Sequence, residues 1–127
     1  MPDFDIDAVL SAEPNTVFRY MYRDANNWKT TRELILSGNV AEDAFVPFLD
    51  DLEFFIPHDV GLEELQEVHR GGELDPETDH VWHEVVDVSP TAEPVTEDFS
   101  VEELLARFRE ASSTGWNLDA ACDRLGL

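Results

Sequence analysis

Apolar and polar residues alternate most clearly between residues 16 and 23. A period of two puts Val17, Arg19, Met21 and Arg23 on one side and Phe18, Tyr20 and Tyr22 on the other, which predicts a half-buried strand. Asp24-Ala25-Asn26-Asn27 is turn chemistry, because Asn and Asp tolerate left-handed backbone and bond their own main chain. Residues 28–36 then return as the partner strand, closed by Ser37-Gly38-Asn39. The stretch reads as a hairpin.

Between residues 40 and 52 the period changes. Phe45, Phe48, Leu49 and Leu52 recur at i, i+3, i+4 and i+7, predicting an amphipathic helix behind an Asn39 cap. Pro47 opposes it, since a helix-interior proline costs about 3 kcal/mol and forces a late start or a kink. Glu53-Phe54-Phe55-Ile56 predicts a third strand, stopped by Pro57. Leu62, Leu65 and Val68 or His69 predict a short helix over residues 61–70, ended by Gly71-Gly72. The β-branched run of residues 81–88 is the fourth strand. Near the start, Ile6, Val9 and Leu10 fall at helical spacing until Glu13-Pro14-Asn15 breaks the pattern.

Residues 89–98 hold Pro90 and Pro94 without periodicity and read as a linker. Ser100-Val101-Glu102-Glu103 is a capping box, followed by an apolar stripe of Val101, Leu104, Leu105 and Phe108. Asn117 caps a last helix with Leu118, Ala121, Cys122 and Leu125 inward and Gly126 at its end. The expected fold is therefore α+β: an antiparallel sheet of about four strands with helices on one face, plus a C-terminal helical pair. The expected organisation is a core at 1–88, a linker at 89–98 and a helical hairpin at 99–127.

Charge changes the picture more than length does. The 127 residues carry 29 acids against eight bases, a formal net charge of −21, and Lys29 is the only lysine. Solubility alone needs a net charge of roughly 2–8 in magnitude. A larger excess strains the compact state unless salt screens it, so the acids, spread along the whole chain, point to a halophile's cytoplasm. An acidic mimic of nucleic acid would instead concentrate its acids on one face. Nucleic-acid binding is not expected with so few bases. Cys122 is the lone cysteine, which rules out an intrachain disulfide. The acidic N-terminus lacks the regions of a signal peptide, and no apolar run approaches the roughly 20 residues that span a bilayer. A cytoplasmic location, with no membrane contact, is the expectation.

Two groups of residues are candidates for chemistry. Arg19, Arg23, Lys29 and Arg32 are half of the basic residues, within fourteen positions. With Asn26 and Asn27 at the turn, and Tyr20, Tyr22 or Trp28 available for stacking, they form a candidate anion site, because guanidinium forks match carboxylate and phosphate. The plainer reading pairs them with neighbouring acids. The second group is His80 and His83: a helix would put both on one face for zinc or iron, whereas a strand sends them to opposite faces. The plainer reading makes them surface histidines among acids. No cofactor is expected, and no catalytic residue stands out among so many carboxylates. The C-terminal helices, behind a proline-containing linker, are candidates for homo-oligomer contacts as an exchangeable arm.

Y-M-Y-R-D-A-N-N-W-K (residues 20–29), E-F-F-I-P-H-D-V-G-L-E-E-L-Q (53–66) and D-H-V-W-H-E (79–84) resemble a group of small bacterial and archaeal proteins. That group carries Y-R-Y-R-D-A-x-N-x-K and F-x-P-x-x-V-G-L-x-x-L-Q patterns, and the acidity here suggests a member from a halophilic archaeon. The likeness covers residues 18–86; Met21 and Trp28 depart from the pattern. No activity is assigned to the group, so the resemblance implies no mechanism, but it marks Arg23, Asp24, Asn27 and Lys29. The expected role is a non-enzymatic interaction or regulatory module, probed against a small enzyme or anion-binding protein using the hairpin-end cluster.

Overall fold

In the computed structural model, which describes residues 13–67 and 74–127, the alternating run becomes β1 (Asn15–Arg23). It pairs antiparallel with β2 (Lys29–Ser37) on one side and with β4 (His83–Thr91) on the other. A two-residue β3 (Phe54–Phe55) borders β4, giving a four-stranded antiparallel sheet in the order β2-β1-β4-β3. The α+β architecture and the hairpin stand as the pattern predicted. Phe18, Tyr20 and Tyr22 are fully buried on one face, beside Leu34, Leu36 and Val88.

That face is covered by α1 (Val101–Thr114), whose Val101, Leu104, Phe108 and Ala111 enter the same core as the sheet. Ser100 accepts from the Glu103 N–H at 3.0 Å, but the Glu103 carboxylate turns forward to Arg107 at 2.8 Å, so only half of the capping box forms. Gly115, with φ of 90°, ends the helix. α2 (Leu118–Leu125) starts on the Asn117 cap and sets Ala121 against Ile56 and Val81. Leu118, expected inward, is exposed.

The helix expected over residues 40–52 does not form. Val46–Phe48 is a single 3-10 turn with Pro47 in it, since proline tolerates only the first turn. The chain then reverses through Asp51 and Leu52, both left-handed at φ of 54° and 58°. Phe45 and Leu49 reach the core without a helix, while Leu52 is 67% exposed. Residues 57–67 likewise form 3-10 turns, Pro57–Val60 and Leu65–Glu67, separated by left-handed Gly61. The expected helical turns before residue 13 and the end of the helix at residues 68–72 lie outside the described residues.

The segment expected as linker gives Ser89, Pro90 and Thr91 to β4. Proline is tolerated there because β3 pairs only with His83 and Glu84, leaving β4 an edge strand at Pro90. The chain then crosses to the far edge of β2, where the Thr96 N–H donates to Ile35 O at 2.9 Å and the Ile35 N–H donates to Thr96 Oγ1 at 2.9 Å.

Candidate functional site

Cross-strand register decides whether the basic residues meet. Arg19 lies opposite Glu33, Arg23 opposite Lys29, and Arg32 opposite Tyr20. Arg19, Arg23 and Lys29 therefore lie on the face away from α1, and Arg32 on the other. Each guanidinium faces a carboxylate: Arg19 pairs with Glu33 and sits 3.7 Å from Asp87, Arg23 Nε is 3.4 Å from Glu84, and Arg32 is 2.6 Å from Glu63. Asn27 accepts from Arg23 at 3.2 Å, while Asn26 and Lys29 are exposed. Tyr20 and Tyr22 are fully buried and cannot stack on a ligand at the surface; Trp28 is exposed. Such exposed pairs contribute about 0–1 kcal/mol each. The four bases are strung along two faces and do not converge.

The histidines are not surface residues. His83 is fully buried in β4, and His80, which precedes the strand, is half-buried, with ring centroids 5.3 and 5.1 Å from that of Tyr22. His80 Nδ1 accepts from the Trp82 N–H at 3.0 Å, so its Nε2 carries the proton and donates to Arg23 O at 2.6 Å. His83 takes the opposite tautomer: Nε2 accepts from the Leu65 N–H at 3.0 Å and Nδ1 faces Val81 O at 3.3 Å. All four ring nitrogens are engaged, which leaves no lone pair for a metal. Among the described residues no three His, Cys, Asp or Glu side chains are grouped to hold one.

Around these rings runs a buried polar network. The Tyr22 hydroxyl donates to Asp79 Oδ1 at 2.5 Å and accepts from the His80 N–H at 3.1 Å; Asp79 Oδ2 accepts from the Asp75 N–H at 2.7 Å. The Tyr20 hydroxyl donates to Glu63 O at 2.7 Å, and the Gln66 amide to His80 O at 2.8 Å. Burial, and for Tyr22 also the hydrogen bond to Asp79, pushes both phenols well above their ordinary range. Burial holds His83 down to about 3, with a smaller contribution from neighbouring His80. The two phenols and the His83 ring are neutral and hydrogen-bonded, while Gln66 Oε1 is buried without a hydrogen-bond partner among the described residues. The network fastens the hairpin tip to residues 57–66 and 74–82 rather than carrying out acid–base chemistry. The three segments quoted for the resemblance meet here.

Asp24 belongs to the same fastening. Its Oδ1 accepts from the N–H groups of Asn26 (2.9 Å) and Trp28 (3.0 Å), and the Ala25 N–H donates to Thr78 O at 2.9 Å. Asn27, left-handed at φ of 69°, lets the turn close. Asp24→Ala strips two buried bonds and is expected to lower unfolding free energy by about 2 kcal/mol in urea titration. An unmoved midpoint would show that the tip is held elsewhere.

The surface feature that sequence reasoning missed lies along β4. Beyond Glu84 no strand pairs with that edge among the described residues. A groove of about 400 Å³ runs beside it, with Phe45, Val46, Leu49 and Leu52 on one wall and Val85, Val86 and Val88 on the other. Glu42, Asp43, Glu53, Glu84 and Asp87 line it too. Val86 is the extra residue of a β-bulge, where the register shifts from Arg19 opposite Asp87 to Tyr20 opposite Val85, and it is 48% exposed. At the hairpin end the groove meets a hollow of about 460 Å³ lined by Arg23, Asp24, Glu53, Phe54, His80, Trp82 and Glu84; Glu53 and Glu84 line both. Among the described residues that line the hollow, three carboxylates to one guanidinium is the wrong sign for an anion. A third, open depression at the α1–α2 corner is partly committed to the fold, since Asp59 there caps the Asn117 N–H at 3.0 Å. No helix among the described residues is long and apolar enough to cross a membrane. No protein-family model, curated protein or solved structure matches this chain.

Proposed function

We propose that this chain is a non-catalytic interaction module of a salt-adapted cytoplasm, which docks an extended segment of a partner protein alongside β4. One observation carries the reading: a strand edge unpaired among the described residues, flanked by the exposed apolar side chains of Val46, Leu52 and Val86. An unpaired edge offers main-chain donors and acceptors to an added strand, and pockets beside it select alternate side chains.

Leu52 strengthens the reading. Its left-handed backbone costs a non-glycine residue roughly 1–2 kcal/mol, and Asn or Gly would serve the turn better. A bulky apolar residue kept exposed in such a place fits a binding role. The alternative, an anion-binding or catalytic hairpin end, has its guanidiniums already facing carboxylates. Self-association through the C-terminal helices competes with the burial of α1 on its own sheet.

The test is capture of a partner in about 1 M KCl, with hydrogen exchange read on the captured complex. Wild-type protein is expected to retain a partner and to gain amide protection over residues 85–88. Val86→Lys should abolish capture with an unchanged circular dichroism spectrum, because an edge lysine blocks strand addition. Leu52→Asn should hold or raise the melting temperature while weakening capture. Undiminished capture by Val86→Lys removes the reading.

A further inference from the structure

The hollow at the end of the groove deepens that reading and rests on it: we infer that it receives the guanidinium of an arginine carried by the docked segment. Two aromatic rings, Phe54 and Trp82, form its sides, with centroids 6.3 Å apart and planes tilted by 48°. A cation over an aromatic face is attracted by the ring quadrupole, and a planar guanidinium can also stack there.

The carboxylates supply the charge. Glu53 has no side-chain hydrogen bond or ion pair among the described residues, so both its oxygens are open to a fork of N–H donors. Glu84 is shared with Arg23, but only through Nε at 3.4 Å. Among the described residues Arg23 is the one opposing charge in the hollow, and it also leans back to Asn27 at 3.2 Å. A second guanidinium entering between Glu53 and the rings reduces the excess of carboxylates over guanidinium that the described residues leave there.

Continuity fixes where that arginine comes from. Glu53 and Glu84 line both the groove and the hollow, so an extended segment paired beside residues 85–88 ends, where β3 takes over the edge, at the rim of the hollow. The occupant is therefore an extended segment, apolar along Val46, Leu52 and Val86, with an arginine at the hairpin end. The chain's own first twelve residues carry Asp3, Asp5 and Asp7 and no base, which is the wrong sign for this rim. A second copy is disfavoured because its Arg19, Arg23, Arg32, Arg107 and Arg124 already face carboxylates of their own. Contact geometry keeps the pairing effective in concentrated salt, where a Debye length of about 3 Å removes only longer-range attraction.

Calorimetry with two synthetic probes tests this on the full chain. One is a short blocked peptide of alternating valine and threonine with a single arginine; the other replaces that arginine by citrulline, of the same shape but uncharged. The arginine peptide is expected to bind roughly tenfold tighter. Glu53→Gln and Phe54→Leu should each erase most of that preference. Val86→Lys should abolish binding of both. Equal affinity for the two peptides, with Val86→Lys still abolishing both, overturns the arginine inference and leaves strand docking standing. Binding of neither peptide overturns both. A dimer of the protein alone, lost in Val86→Lys, would make a second copy the occupant and equally overturn it.

Discussion

Phe108→Ala is expected to cost about 3–5 kcal/mol, the range for truncating a fully buried aromatic residue. Its ring touches elements from every part of the chain. The centroids of Phe45 and Phe55 lie 4.9 and 5.0 Å away, that of Trp116 at 5.8 Å and that of Phe18 in β1 at 6.0 Å. The cavity left behind would sit where α1, the 3-10 turns and the sheet meet, so no single neighbour can close it. A domain's whole stability is about 5–15 kcal/mol. With a net charge of −21, the reserve in dilute buffer is smaller still. The variant should therefore be largely unfolded in low salt and regain structure as KCl is added. Urea titration followed by circular dichroism at several KCl concentrations measures this. Leu118→Ala, at an exposed position of α2, is the control, expected within about 0.5 kcal/mol of wild type. A chain stopped at Asp98 should behave like the severe variant, since it loses Val101, Leu104, Phe108 and Ala111 together. A Phe108→Ala loss below about 1 kcal/mol would mean that α1 is not seated on this sheet.

The hairpin was legible because period-two alternation runs through residues 16–23 and Asp24-Ala25-Asn26-Asn27 is turn chemistry. Which bases share a face was not, because that depends on register, and register depends on the five-residue loop. Nearness in sequence put Arg32 with Arg23; pairing opposite Tyr20 puts it on the other face. The burial of His83 was hidden for a related reason. In residues 81–88 the bulge at Val86 reverses the alternation, so His83, Val85 and Val88 share the inner side although their spacing changes from two to three. Nothing in the composition of that run marks the extra residue.

The groove was hidden by a pattern that fits a helix. Phe45, Phe48, Leu49 and Leu52 have helical spacing, yet Pro47 limits the helix to one 3-10 turn. The chain then closes a tight turn in which the Glu53 N–H donates to Asp50 O at 3.0 Å. The signal that was available is Asp50-Asp51-Leu52-Glu53, whose acids favour a turn over a helix end, where negative charge opposes the macrodipole. Once that turn is made, Leu52 faces solvent and β3 is cut to two residues. The short β3 leaves the β4 edge beyond Glu84 unpaired among the described residues, so the same local conflict produced both halves of the candidate docking surface.

His83 makes stability depend on pH in a direction that can be separated from the acids. The ring is fully buried against Tyr20, Tyr22 and Phe55, and its Nε2 accepts the Leu65 N–H at 3.0 Å. Protonation would place a charge in that apolar setting and turn the acceptor into a donor facing another donor. Burial accordingly holds the group down to about 3, against about 6.5 for an exposed histidine. Between those two values the unfolded chain binds the proton and the folded chain does not. The stabilisation is complete above pH about 6.5 and is lost as pH falls towards 3, by up to about 1.4 kcal/mol per unit. The 29 acids make a contribution of their own, through net charge rather than through this ring. That contribution is common to wild type and to His83→Gln, in which a neutral amide oxygen can still accept from Leu65. The variant is expected to start less stable at pH 7.5, through imperfect packing, and then to gain on wild type by about 2 kcal/mol as pH falls from 6.5 to 5. Urea midpoints for both proteins across that interval, in constant KCl, measure the difference. Parallel curves would mean that the His83 ring accepts its proton in the folded state, and the buried network would lose its central neutral member.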